Sequence, residues 1–268
     1  MADASQTELL GGLMRKCGSA YFLALVLLLT TICPIPAHAV LGDDVPALQY
    51  FPLLKGNVWM YEGPVAWTIV NSGEVRRKEL TIRMEITETY RRGLVWLALF
   101  RGHPFDGAWY EAGGVPSRGA YLCVGYRVYE LDEPRTADVL RRLQDPKDGL
   151  ANLVSEDELV FDFPLLPGKR FGDTKQLARE DGRYQWLVLP VSPTVAAREL
   201  LNDTLPGHIR LQFEEGIGIT RYEYVHHGTV SESHLTLVAF TPRTLREAPL
   251  RLEQHSGEAK NRHKSSFF

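Results

Sequence analysis

Leu80-Thr81-Ile82-Arg83-Met84-Glu85-Ile86-Thr87 alternates apolar and polar residues without a break. Successive side chains on a strand point to opposite faces. Leu80, Ile82, Met84 and Ile86 therefore share one face, and the polar residues share the other. One dry face and one wet face mark an antiparallel sheet. The pattern spreads in both directions. Leu94 to Phe100 is apolar on both faces and reads as a central strand covered on both sides. Ala120 to Leu131, Tyr184 to Leu189 and Ile209 to Phe213 read as further strands. Gly218 to His226 and Thr229 to Phe240 read as a hairpin turning near His227-Gly228. Helix signals are few. Asp132-Glu133-Pro134 opens a short helix with the stripe Val139, Leu140 and Leu143, closed by Pro146, and Pro193 to Asn202 is a second candidate. The expected fold class is mainly β: a curved antiparallel sheet, or an open barrel or sandwich, with one or two short helices.

The N-terminus reads differently. Arg15 and Lys16 precede the apolar run Tyr21 to Leu29, and Pro34, Pro36 and the triplet Ala37-His38-Ala39 follow it. A charged end, a short apolar core and an A-x-A site make a secretory signal peptide. The core is shorter than the ~20 apolar residues that a membrane-spanning helix needs. The expected organisation is a signal peptide over residues 1–39, one β domain over 40–244 and a polar tail over 245–268. The mature chain contains no second apolar run of membrane-spanning length. A lipid-modified Cys33 is the other reading of the leader, but Ile32 stands where such sites carry a small residue.

Composition sets further bounds. Hydrophobic residues make up 44% of the chain, enough for a real core, and the formal net charge is −3. A nucleic-acid surface would need clustered Lys and Arg, so no nucleic-acid partner is expected. Of the three cysteines, Cys17 and Cys33 leave with the leader. Cys123 alone remains and can form no intramolecular disulfide, so it reads as a small buried hydrophobe.

A phrase recurs. Phe51-Pro52-Leu53-Leu54-Lys55-Gly56 returns as Phe163-Pro164-Leu165-Leu166-Pro167-Gly168, and an aromatic, Trp59 or Phe171, stands three residues after each glycine. Proline fixes an extended approach, the leucines plug the core, and glycine permits a tight turn into a strand. Two copies point to two equivalent positions, the openings of two sheet halves. Trp59 and Phe171 are accordingly expected to be structural anchors.

Tyr50-Phe51-Pro52-Leu53-Leu54-Lys55-Gly56-Asn57-Val58-Trp59-Met60-Tyr61, the second phrase through Phe171, and the closing Glu215-Gly216-Ile217-Gly218-Ile219 together resemble a family of secreted bacterial β proteins. That family opens on YFPL-x-x-GN-x-W-x-Y and closes on a GVG-type strand. Its P-A-G-T phrase is missing here, and Leu205-Pro206-Gly207 is the nearest substitute. The resemblance implies an exported, mostly antiparallel β domain and brings no catalytic residues. The lipocalin spacing G-x-W is not met, because two residues separate Gly56 from Trp59.

No catalytic, cofactor or metal motif stands out. Adjacent His226 and His227 point to opposite faces of a strand, although His234 on the partner strand can approach one of them. Glu156-Asp157-Glu158 lacks the alternating spacing of a calcium loop. The best candidate for a functional lip is Phe105 to Gly114, which combines glycines with Trp109, Tyr110, Asp106 and Glu111. Those four residues are the expected ligand contacts. The expected function is a non-enzymatic exported envelope protein that binds a hydrophobic small molecule or an envelope component, with no cofactor. The alternative is an extracytoplasmic hydrolase with a site assembled from scattered residues.

Overall fold

The computed structural model describes residues 45–69, 71–108, 110, 114–190 and 197–243. Among these, twelve strands form one antiparallel sheet: β1 (Val58–Thr68), β2 (Val75–Arg92), β3 (Val95–Arg101), β4 (Arg118–Val124), β5 (Arg127–Leu131), β6 (Leu159–Asp162), β7 (Arg170–Phe171), β8 (Trp186–Val188), β9 (Arg198–Asp203), β10 (Gly207–Glu214), β11 (Gly218–His226) and β12 (Ser231–Thr241). Except between β6 and β7, each strand pairs with its neighbours in sequence, and β1 also pairs with β12. The result is a nearly closed up-and-down barrel whose one seam lies between β6 and β7. Lys169 Nζ closes that seam on Asp162, donating to its carbonyl and lying 3.3 Å from its carboxylate. Three short helices accompany the sheet: α1 (Ala47–Tyr50), α2 (Glu133–Gln144) and α3 (Thr174–Leu177).

The alternation over residues 80–87 becomes β2, with Ile82, Met84 and Ile86 buried in the barrel and Thr81 and Arg83 outside. Leu97 and Ala98 are adjacent in β3, point to opposite faces, and are both 0% exposed. That double burial is what the doubly apolar segment requires. α2 forms where Asp132 caps it by accepting from Arg135 N–H, and it buries Val139 and Leu143.

Two expectations are corrected. Residues 120–131 are two strands rather than one. Gly125 adopts φ +61°, and the chain reverses in the two-residue turn Gly125-Tyr126 between Val124 and Arg127. The flanking apolar run hid that turn. Residues 198–202 belong to strand β9, not to a helix. Leu200 is buried between Val188 and Leu211, so pairing with two neighbours overrides the weak helical pattern. Residues 193–196 of that candidate, like the leader and the polar tail, lie outside the described residues.

The repeated phrase opens both halves of the barrel. Gly56 N–H donates to Ile86 O at 2.7 Å and Ile86 N–H returns to Asn57 O at 3.0 Å. Gly168 N–H donates to Val188 O at 2.8 Å and Val188 N–H returns to Lys169 O at 2.9 Å. Even the residue after each glycine acts alike: Asn57 Nδ2 donates to Pro52 O at 2.5 Å, and Lys169 Nζ to Pro164 O at 3.3 Å. Both glycines have positive φ, +88° and +82°. The phrases thus fasten β1 to β2 and β7 to β8 by one device.

Phe51 and Leu53 plug the pole at which these phrases lie, both 0% exposed. Phe51, Trp59, Tyr61, Tyr121, Phe161 and Phe213 fill the interior with aromatic rings. Cys123 is buried on β4, and desolvation pushes its thiol far above the ordinary value. Only the thiolate reacts. Thiol labelling is therefore expected to be slow in native buffer and fast after denaturation. Fast native labelling would place Cys123 at an accessible surface.

Candidate functional site

The opposite pole, here called the rim, gathers the β1–β2, β3–β4 and β11–β12 connections. The β3–β4 connection begins with a turn that the sequence encodes closely. His103 caps the 3-10 turn Pro104–Gly107: its Nδ1 accepts from Phe105 N–H at 3.1 Å, and Asp106 Oδ2 accepts from His103 N–H at 3.1 Å. The same Asp106 oxygen accepts from Ser117 N–H at 3.1 Å, tying the two ends of the connection together. Gly107 lies against the barrel mouth, where a Cβ would meet Leu235, Ser233 and Val65 at 3.1–3.3 Å. This part of the expected lip is folded inward: Gly107 and Ala108 are buried.

His103 itself is 4% exposed. Since Nδ1 accepts a backbone N–H, the neutral ring carries its proton on Nε2 and donates it to Tyr121 Oη at 2.6 Å. Glu130 stands 3.9 Å from the same nitrogen. The ring's described partners are thus a backbone amide, a phenol and a carboxylate, none of them an activated nucleophile. Tyr121 and Tyr222 are held far above the usual tyrosine range, first by burial and then by the nearby Glu130 carboxylate. Tyr61, whose hydroxyl donates to Ile219 O at 2.9 Å, is raised by burial alone.

This cluster has a pH consequence. The folded barrel keeps protons on Tyr61, Tyr121 and Tyr222 that the unfolded chain releases above the ordinary value of 10.0. Their contribution is intact below that pH and is lost as pH rises beyond it. Phenolate absorbance in an alkaline titration should show three of the 11 tyrosines ionising only with unfolding. Smooth titration of all tyrosines with the fold intact would contradict the buried placement.

Two clefts among the described residues lie outside this buried cluster. The larger, about 690 Å³, is walled on one side by Leu80, Thr81, Ile82 and Arg83 of β2. Phe105, Asp106, Tyr110 and Gly114 to Ser117 wall the other. The second, about 530 Å³, is lined by Trp67, Glu74, Val75, Arg76, Arg77, Lys78 and Tyr110. Tyr110 belongs to both. Its ring meets Trp67 edge-on at 5.0 Å, and its hydroxyl accepts from Lys78 Nζ at 2.8 Å. Of the four expected contacts, the structure places Asp106 and Tyr110 together on the larger cleft. Asp106 spends one oxygen on capping. Trp109 and Glu111 lie outside the described residues. Trp59 and Phe171 are both buried and line neither cleft.

Sequence reasoning missed one further cluster. β11 brings Glu223 between its neighbours. Glu223 lies 3.7 Å from His208 and 3.5 Å from His234, and His208 Nδ1 is 3.1 Å from His227 Nε2. Cross-strand register, Glu223 opposite both Arg210 and His234, was the signal available. His208 and His234 approach opposite oxygens of the carboxylate from strands on either side of β11. Among the described residues no group of three or more His, Cys, Asp or Glu side chains has metal-holding geometry.

No family model matches the chain. No curated protein matches it either. Among solved structures it is similar to a protein with YmcC-like fold from Bacteroides fragilis, at 12% identity and a TM-score of 0.36, over 72% of this chain and 99% of that one. The superposition is loose, and nothing about activity follows from it. Among the described residues no helix is long and apolar enough to cross a membrane.

Proposed function

We propose that this chain is an exported, non-enzymatic binding domain of the cell envelope, and that its binding surface is the rim between β2 and the β3–β4 connection. One observation carries the reading. The barrel interior, where a hydrophobic ligand would sit, is filled by buried aromatic rings, whereas the rim opens a cleft of about 690 Å³ walled by Leu80, Ile82, Phe105, Val115 and Pro116. Exposed apolar surface framed by polar groups marks interaction sites. The buried His103 cluster favours architecture over hydrolysis, because both ring nitrogens are engaged.

Two measurements test this. N-terminal sequencing of the exported protein should read Val-Leu-Gly-Asp-Asp, from cleavage after Ala39. A retained leader, or a lipid on Cys33, would contradict it. A photoreactive side chain at the exposed rim residue Val115 should cross-link to an envelope component in the living host. The same group at Leu166, exposed at the plugged pole, should not. Equal cross-linking from the two positions, or none from Val115, would overturn the rim as the binding surface.

A further inference from the structure

The edge of β2 is unfinished. β1 pairs with β2 along Val75–Glu85, but β3 pairs with it only from Glu85 onward. The reason lies in Gly102 and Pro104. β3 leaves the ladder at Gly102, which has φ +72° and approaches β2 so closely that a Cβ would fall 2.2 Å from Arg83 O. Pro104, two residues on, has no N–H to donate. Among the described residues no strand therefore lies beside residues 76–83 on that side; the second cleft opens along Glu74–Lys78 and the larger along Leu80–Arg83. Four consecutive residues, Leu80 to Arg83, thus line the larger cleft. A strand shows consecutive residues to a cavity only when the cavity views it edge-on.

The direction of the free backbone groups follows from register. Ile86 exchanges its N–H and C=O with the β1 side, through Asn57 and Gly56. Along a regular antiparallel strand these groups alternate sides. The pairing of β1 with β2 shows no bulge. So Met84, Ile82, Leu80, Lys78 and Arg76 turn toward β1. Arg83, Thr81, Glu79 and Arg77 turn toward the other side, in agreement with Arg83 O facing Gly102. Among the described residues no backbone or side-chain hydrogen bond is made to the main chain of Arg77, Glu79 or Thr81.

We infer that this edge receives an extended segment of another polypeptide as an added strand, with apolar residues beside Leu80 and Ile82 and acidic residues beside Arg76 and Lys78. The inference deepens the rim reading and rests on it. Charge chooses the partner. The face of β2 that looks into the barrel runs from Arg76 and Lys78 at the tip to Leu80 and Ile82 near the mouth. Phe105, Val115 and Pro116 face the apolar end across the slot. Arg76, Arg77, Lys78, one acid, Glu74, which pairs with Arg76 at 3.3 Å, and the aromatic pair Trp67–Tyr110 surround the other end, leaving it net positive. Residues 76–83 span about 20 Å, room for six or so residues of added strand. Main-chain pairing supplies affinity and alternate side chains supply selection in such complexes.

The probe is the end-blocked heptapeptide Ile-Thr-Val-Thr-Glu-Thr-Glu, which sets its apolar residues beside Ile82 and Leu80 when it lies antiparallel to β2. Calorimetry on protein purified from its host should show binding. N-methylation at alternate residues on the β2-facing register keeps every side chain and should weaken it at least about tenfold, as should exchange of both glutamates for lysines. Thr81→Pro removes one edge donor and no backbone bond to β1; the side-chain bond it loses, Thr81 Oγ1 to Glu62 at 3.5 Å, is exposed. Proline is tolerated on such an edge, so the variant should melt like the parent and bind at least about tenfold more weakly. Failure of the heptapeptide to bind, or equal binding by its N-methylated form or by folded Thr81→Pro, overturns strand addition. A parent dimer that Thr81→Pro converts to monomer assigns the edge to a second copy and also overturns it. Cross-linking from Val115 is read separately: if it persists while the peptide fails, the rim reading stands and strand addition alone falls.

Discussion

Trp59→Ala is expected to cost the barrel about 3–5 kcal/mol, against a typical net stability of about 5–15 kcal/mol. The indole is 0% exposed, its N–H donates to Ile217 O at 2.7 Å, and its ring stacks on Phe240 at 5.0 Å and meets Phe51 edge-on at 5.8 Å. Truncation opens a cavity and leaves the Ile217 carbonyl without its partner. The hydrogen bond joins β1 to the β10–β11 turn, so the loss reaches across the barrel. Denaturant unfolding should show a large drop in midpoint with little change in slope. Phe171→Ala should cost less, because among the described residues Phe171 stacks on Trp186 alone, and it belongs to a two-residue strand at the seam, where neighbours can collapse. Tyr126→Ala, in an exposed turn, should fall within about 0.5 kcal/mol of the parent. An unchanged midpoint for Trp59→Ala would mean that the core lies elsewhere.

Phe51→Ala is expected to cost a similar amount, about 3–5 kcal/mol. Phe51 is the hub of the plug: its ring lies 5.2–5.8 Å from those of Trp59, Tyr121, Phe161 and Phe213. Gly218 is shaped around it, since a Cβ there would fall 2.5 Å from the ring. The space left by Phe51→Ala is bounded by other large rings, which cannot easily close it. Because Phe51 and Trp59 touch, their combined cost should differ from the sum of the single costs by about 0.5–3 kcal/mol. Strict additivity in a double-mutant cycle would show that the two rings do not pack together.

Much of this architecture is legible in the sequence because it rests on local rules. Period-two alternation marks β2, the doubly apolar run marks β3, and Asp132 with Pro134 marks the start of α2. The repeated phrase announces two equivalent openings, and the backbone bonds of Gly56 and Gly168 bear that out. What stays hidden depends on pairing between distant segments. The Gly125-Tyr126 turn is masked by apolar residues on both sides. β9 looks helical until β8 and β10 take it as a partner. The Glu223 cluster exists only in cross-strand register. The candidate site shows the same divide. Asp106 and Tyr110 carried a composition signal, but Asp106 works partly as a cap. The unfinished edge of β2 has no sequence signature beyond Gly102 and Pro104, because it arises from where β3 stops.

Residue-resolved amide hydrogen exchange tests the central claim most directly. In the free protein, Lys78, Leu80 and Ile82, bonded to β1, should exchange slowly, and Arg77, Glu79 and Thr81 should exchange fast. With the heptapeptide bound, protection should appear at Arg77, Glu79 and Thr81 while Lys78, Leu80 and Ile82 stay as they were. Protection of Arg77, Glu79 and Thr81 already present in the free protein, or no change in β2 on binding, would contradict the account.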